Sequence, residues 1–176
     1  MYILRLVTLV MKVRDITLIS IFATVLFVQE QVLSLLPNIQ LTILLLVVYS
    51  KTLGFTKTSI IIVIHTILDN LVMGSFNLLV IPFMALGWFI IPVLLFTIFK
   101  KVNSSNGLAF VGIILSLLYS WILIYPGMII QELSFREYLI GDIVFEVVLA
   151  ASSFITILWL YEPLSSLIKK LENQSE

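Results

Sequence analysis

Long apolar stretches alternate with short polar breaks along almost the whole chain. The breaks predict six helices: Ile16–Leu36, Ile39–Ser50, Thr58–Met73, Phe76–Phe99, Leu108–Gln131 and Leu139–Tyr161. A helix of about 20 apolar residues crosses the ~30 Å hydrocarbon core of a bilayer. The second stretch is short for this, with 12 residues. It reaches across by borrowing from Leu35-Leu36-Pro37 or by starting deep in the membrane. Pro37-Asn38 breaks the first helix, because proline cannot continue the hydrogen-bond ladder. Lys51, Gly54 and Lys57 mark a basic turn, Gly74-Ser75 ends the third helix, and Lys100–Gly107 and Glu132–Tyr138 are polar connections. Pro82 and Pro92 fall inside the fourth helix and Pro126-Gly127 bends the fifth, which membrane helices tolerate where neighbours satisfy the freed carbonyls.

Composition places this pattern in a bilayer. Of the 176 residues 61% are hydrophobic and 11% charged, and mean hydropathy is +1.18, against roughly half apolar and a quarter charged in soluble domains. The expected fold is all-α, an integral membrane bundle of six transmembrane helices in the cell membrane. Residues 1–15 read as a cytoplasmic extension without a signal-peptide cleavage site, Met11 being an equally good start. Residues 16–161 form the bundle, and 162–176 form a cytoplasmic amphipathic tail. With six spans, nine of the ten lysines and arginines fall on one side and only Arg136 opposite. Cytoplasmic loops collect these residues, so both termini are expected inside. A rival in which helices two and three form a re-entrant hairpin leaves four spans and weakens the bias to seven of ten. There is no cysteine and one histidine, which removes disulfides, thiolate chemistry and multi-histidine metal sites.

The polar residues are sorted by depth. Glu30 and Asp69 lie in the outer parts of helices one and three. Asp142 and Glu146 lie one turn apart in the outer third of helix six, on a face continuing through Ala150 to Ser153. Intramembrane carboxylates are costly and normally face protein or water; for Asp142 simple solvation at the interface is an equal reading. With Gln31, Asn38, Gln40, Asn70 and Asn77 these acids describe a cup open outward and sealed below by apolar helix. A pore would need polar lining at every depth, whereas a small-molecule site needs apolar walls and a few placed polar groups. The expected substrate-binding set is Glu30, Asn38, Gln40, Asp69, Asn77, Trp121, Tyr125, Asp142 and Glu146. Trp121 and Tyr125 offer a stacking wall, the competing reading being an interfacial aromatic belt. The excess of acids leans toward a cationic or donor-rich ligand, a lean that Arg136 could reverse.

Other chemistry is thinly represented. His65 and Asp69 share a face at i and i+4, beside Asn70; they read as a proton relay or ligand anchor, or as a packing contact between helices. No phosphate-cradling glycine loop, GxSxG or HExxH occurs, so neither an enzyme, a cofactor nor a metal is expected. The basic residues act as topology signals, without nucleic acid. Ser20, Ala23 and Thr24 give helix one a small-residue face that another helix could approach.

Several segments carry a family resemblance: KVRDITLISIFA at the first helix, LLPNIQLT at the first outer loop, HTILDNLVMGSFN ending helix three, and GDIVFEVVLAASSFI…WLYEPLSSLIKKL. In these the chain resembles the membrane S component of energy-coupling factor (ECF) transporters, over nearly its whole length from Met11. The resemblance implies a six-helix protein with both termini inside that binds a vitamin or related micronutrient near the outer face, helped by the first outer loop. It implies as partners a transmembrane T subunit and two cytoplasmic ATPases, beside the lipid bilayer. Family members carry an alanine-xxx-alanine docking pair in helix one; here Ser20-xxx-Thr24 beside Ala23 is the nearest match, and departs from it. The alternatives are a stand-alone transporter using Asp69 or Glu146 as a proton site, and a small membrane enzyme acting on lipid through His65.

Overall fold

The computed structural model describes residues 13–36, 38–72 and 77–173. The basic residues Arg5 and Lys12, the alternative start Met11, the breaker Pro37 and the Gly74-Ser75 terminator lie outside the described residues. Six helices are found among the described residues: α1 Val13–Leu33, α2 Thr42–Thr52, α3 Gly54–Val72, α4 Val80–Phe96, α5 Ser105–Gln131 and α6 Phe135–Asn173. Four of them, α1, α3, α5 and α6, are long and apolar enough to cross a membrane.

The centre of the molecule is α2. It has 11 residues, about 16 Å at 1.5 Å per residue. No residue from Thr42 to Ser50 is more than 6% exposed. A helix apolar on every side is satisfied only when protein surrounds it, and α2 touches all five others. Around it α1, α3, α4, α5 and α6 form an arc, each packed on the next in that order. The bounds depart from the sequence reading where local chemistry overrides hydropathy. Leu53 alone separates α2 from α3, so Lys51 and Lys57 are helical instead of forming a turn. The fourth helix is 17 residues and not a full 24-residue span. Pro82 falls in its first turn, where the missing N–H is not needed, and only Pro92 lies in its interior.

The connection before α6 is three residues instead of seven. Glu132 closes α5 with left-handed backbone, φ 54°, and Leu133 N–H returns to Met128 O at 3.2 Å. Ser134 then opens α6 as a capping box. Its N–H donates to Glu137 Oε2 at 2.9 Å, while Glu137 N–H reaches back to Ser134 Oγ at 3.4 Å. The tail is not separate, because α6 runs unbroken through Pro163 to Asn173. Its inner face, with Tyr161, Ser165 and Ile168, is buried.

Antiparallel alternation of the helices collects seven of the eight lysines and arginines among the described residues at one end. There Lys57 Nζ bridges Asp15 (2.9 Å) and Glu172 (3.0 Å), and Arg14 meets the Glu172 carbonyl. Lys51 Nζ donates to Phe99 O, Lys100 O and Asn103 Oδ1 at 3.2–3.3 Å, fastening the turn after α4 to α2. Ser105 Oγ donates to Glu162 at 2.7 Å, joining the start of α5 to α6.

Because α2 is enclosed on all sides, truncating its core is expected to be the costliest change in the bundle. Leu46→Ala should cost about 2–5 kcal/mol through the cavity left behind and lower the Tm in detergent. Ile114→Ala on the exposed face of α5 should leave it nearly unchanged.

Candidate functional site

A central helix that spans only half the bundle leaves room at its N-terminal end, and a pocket of about 290 Å³ occupies that end. Glu30 and Leu33 of α1, then Ser34, Leu36, Asn38, Ile39 and Gln40, and Tyr119 and Leu123 of α5 line it. The loop follows from the sequence: after Leu33 the chain turns, and Asn38 takes left-handed backbone, φ 58°, which asparagine tolerates well. One side chain seats the returning strand. Gln29 Nε2 donates to Leu26 O (3.0 Å) and Thr42 Oγ1 (2.7 Å), and its Oε1 accepts from Leu41 N–H at 2.9 Å. Leu41, the α2 N-cap, offers no side-chain acceptor of its own, so Gln29 caps α2 from a neighbouring helix. At the far side Ser152 Oγ of α6 donates to Gln40 O at 3.4 Å.

The pocket lining carries one charged side chain. Glu30 Oε2 lies 2.9 Å from His65 Nε2, off the line of a hydrogen bond, so that contact is electrostatic; Thr42 Oγ1 approaches the same oxygen at 3.5 Å. The imidazole is 0% exposed and its Nδ1 has no partner among the described residues. One turn along α3, Asp69 accepts from Gln31 Nε2 at 3.1 Å and lies within electrostatic reach of Glu30 and His65. His65 and Asp69 are therefore interhelical ties between α3 and α1, and the ties border the pocket. Behind them Trp88 stacks on Tyr119, ring centroids 3.7 Å apart and planes at 16°. Gly87 permits this, since a Cβ there would stand 2.6 Å from the Tyr119 ring. Among the described residues no three histidine or acidic side chains converge as a metal site.

The expected site residues divide into four groups. Glu30, Asn38 and Gln40 line the pocket and Asp69 stands beside it. Asn77 instead accepts from Leu79 N–H at 2.9 Å, shaping the turn into α4. Trp121 and Tyr125, both more than half exposed, point away from Glu30 into an apolar groove between α5 and α6 with Ile124, Met128, Phe135 and Leu139. Asp142 and Glu146 meet across Ser120, whose Oγ is 3.2 Å from one carboxylate and 3.1 Å from the other. They form a separate cluster between α5 and α6, apart from the residues lining the Glu30 pocket. Tyr119 is the aromatic wall that periodicity missed; it follows two residues before Trp121, and only the rotation of α5 decides which of them faces inward.

On α1, Ser20 and Thr24 are exposed while Ala23 is 1% exposed, so the three do not share a face. The two hydroxyls donate to Ile16 O and Ser20 O, both at 2.8 Å, and thus present no unpaired group outward.

Gln29→Leu, which keeps the volume and removes both hydrogen-bonding ends, is expected to speed amide exchange of Leu41 tenfold or more while amides at the α2 centre keep their protection. Hydrogen exchange by mass spectrometry reads this directly. Comparison with models of known families, with curated proteins and with solved structures finds no match to this chain.

Proposed function

We propose that this chain is the substrate-capture membrane subunit of an ECF-type importer, with six membrane passages, both termini in the cytoplasm and the pocket facing outward. The reading rests on one observation above all: a small pocket at one end of the bundle, closed beneath by a helix with no polar side chain between Ile43 and Val48. Such a site can hold a molecule and cannot conduct it, so release on the other side requires work by partners. A T subunit and two cytoplasmic ATPases would supply it. The basic end supports the orientation, and the first loop forms the pocket roof as the resemblance implies. The exposed α1 surface at Ser20 and Thr24 would meet the T subunit, its folded-back hydroxyls allowing close helix approach. The ligand would be a vitamin-sized micronutrient, since the pocket lies at the low end of the ~300–1,000 Å³ usual for ligand sites.

A proton-coupled transporter is favoured by a different observation. Asp142 and Glu146 converge on the one hydroxyl of Ser120, and carboxylates gathered inside an apolar helix bundle are the kind of group that proton relays use. Native mass spectrometry of the full chain from its own membrane, followed by reconstitution, separates the two. Capture predicts a retained small molecule and no accumulation of it by proteoliposomes containing this chain alone, with or without a pH gradient. Gradient-driven accumulation by the chain alone would overturn the proposal.

A further inference from the structure

The pocket is electrically one-sided. Its lining contains a carboxylate, Glu30, and neither lysine nor arginine. Asp69 adds a second negative charge within electrostatic reach. The nearest counter-charge is His65, held at 2.9 Å from Glu30. Among the described residues the other positive influence is the N-terminus of α2, equivalent to about half a charge. Two carboxyl side chains set against one imidazole and a helix terminus leave the recess acidic in composition. Neighbouring elements do not correct the balance: α2 carries no charged residue before Lys51 at its opposite end, and α4 carries none at all. Tyr119 and its Trp88 partner add an aromatic side.

The His65 imidazole stands beside the same carboxylate. It is wholly buried, with Nε2 2.9 Å from Glu30 Oε2 but off the hydrogen-bond line, and neither ring nitrogen has a hydrogen-bond partner among the described residues. A buried charge persists only when paired, so a ligand carboxylate entering here would add a third acid to Glu30 and Asp69 with no lysine or arginine in the lining to pair with it.

Resting on the capture reading above, we infer that the pocket takes a small organic monocation: a one- or two-ring molecule whose charged N–H or ring nitrogen faces Glu30, with Asp69 reinforcing the field and the ring beside Tyr119. Acidic micronutrients are excluded by the same charges. Glu30 is the specificity-determining contact. Asp69 acts at longer range, and Asn38 and Gln40 offer hydrogen bonds from the roof.

The test uses full-length protein in nanodiscs and the small-molecule fraction of yeast extract, separated by ion exchange into cationic, neutral and anionic pools. Retention is read by native mass spectrometry. The inference expects a bound mass from the cationic pool only. Glu30→Gln should lower its affinity at least tenfold, Asp69→Asn should lower it less, and Glu30→Asp should restore part of the loss. Asp142→Asn, outside the pocket, should leave binding unchanged. Near-ultraviolet circular dichroism of the Trp88–Tyr119 stack confirms that each variant is folded; if Glu30→Gln fails this check, Glu30→Asp against Asp69→Asn carries the comparison. Retention from the anionic or neutral pool, or binding indifferent to these charges, would overturn the cation inference and leave capture standing. No retention from any pool would contradict the capture reading itself.

Discussion

The enclosure of α2 is the constraint on which the rest of this structure depends. An apolar helix of 11 residues can be central only if five others wrap it, and the arc of α1, α3, α4, α5 and α6 does so. Shorter than every neighbour, the shortest of which has 17 residues, it cannot fill the bundle axis. The end it leaves unfilled becomes a pocket, and the end it fills becomes a plug. Pocket and seal are two consequences of one helix length.

Capping links that geometry to chemistry. A helix that begins inside a bundle exposes N–H groups where water is scarce, and each would be costly unpaired. Leu41 cannot cap α2, so Gln29 does, and the neighbouring Glu30 carboxylate stands where the positive end of the helix favours it. Having placed a carboxylate there, the fold answers it with His65 from α3. The polar residues around the pocket thus serve the architecture and create a charged recess together. At the opposite end Lys51, Lys57 and Arg14 tie helix ends into one layer.

Much of this was legible in the residues. The six apolar stretches and the polar sorting came from periodicity and charge, and three pocket residues, Glu30, Asn38 and Gln40, followed from depth alone. The length of α2 was the clue that hydropathy treated as a difficulty; burial explains it, since an enclosed helix has no bilayer to match. Ser134-x-x-Glu137 is a readable capping box that fixes where α6 starts, yet its charged surroundings resemble a loop. Rotation was the harder quantity. Tyr119 and Trp121 lie two positions apart, about 200° around a helix, and only packing against Gly87 selects the first. Asp142 and Glu146 share a depth with Glu30 but belong to another interface, because depth along the membrane normal says nothing of azimuth.

With no native cysteine, site-directed cysteine labelling tests the central claim most directly. Single cysteines at Gln40, Leu46 and Lys100 would be exposed to a membrane-impermeant maleimide on intact cells and on inside-out vesicles. A pocket above a sealed helix predicts that Gln40→Cys labels only from outside, Lys100→Cys only from inside and Leu46→Cys from neither. Labelling of Leu46→Cys from either side, or of Gln40→Cys from both, would reveal a water path through the bundle and contradict the account.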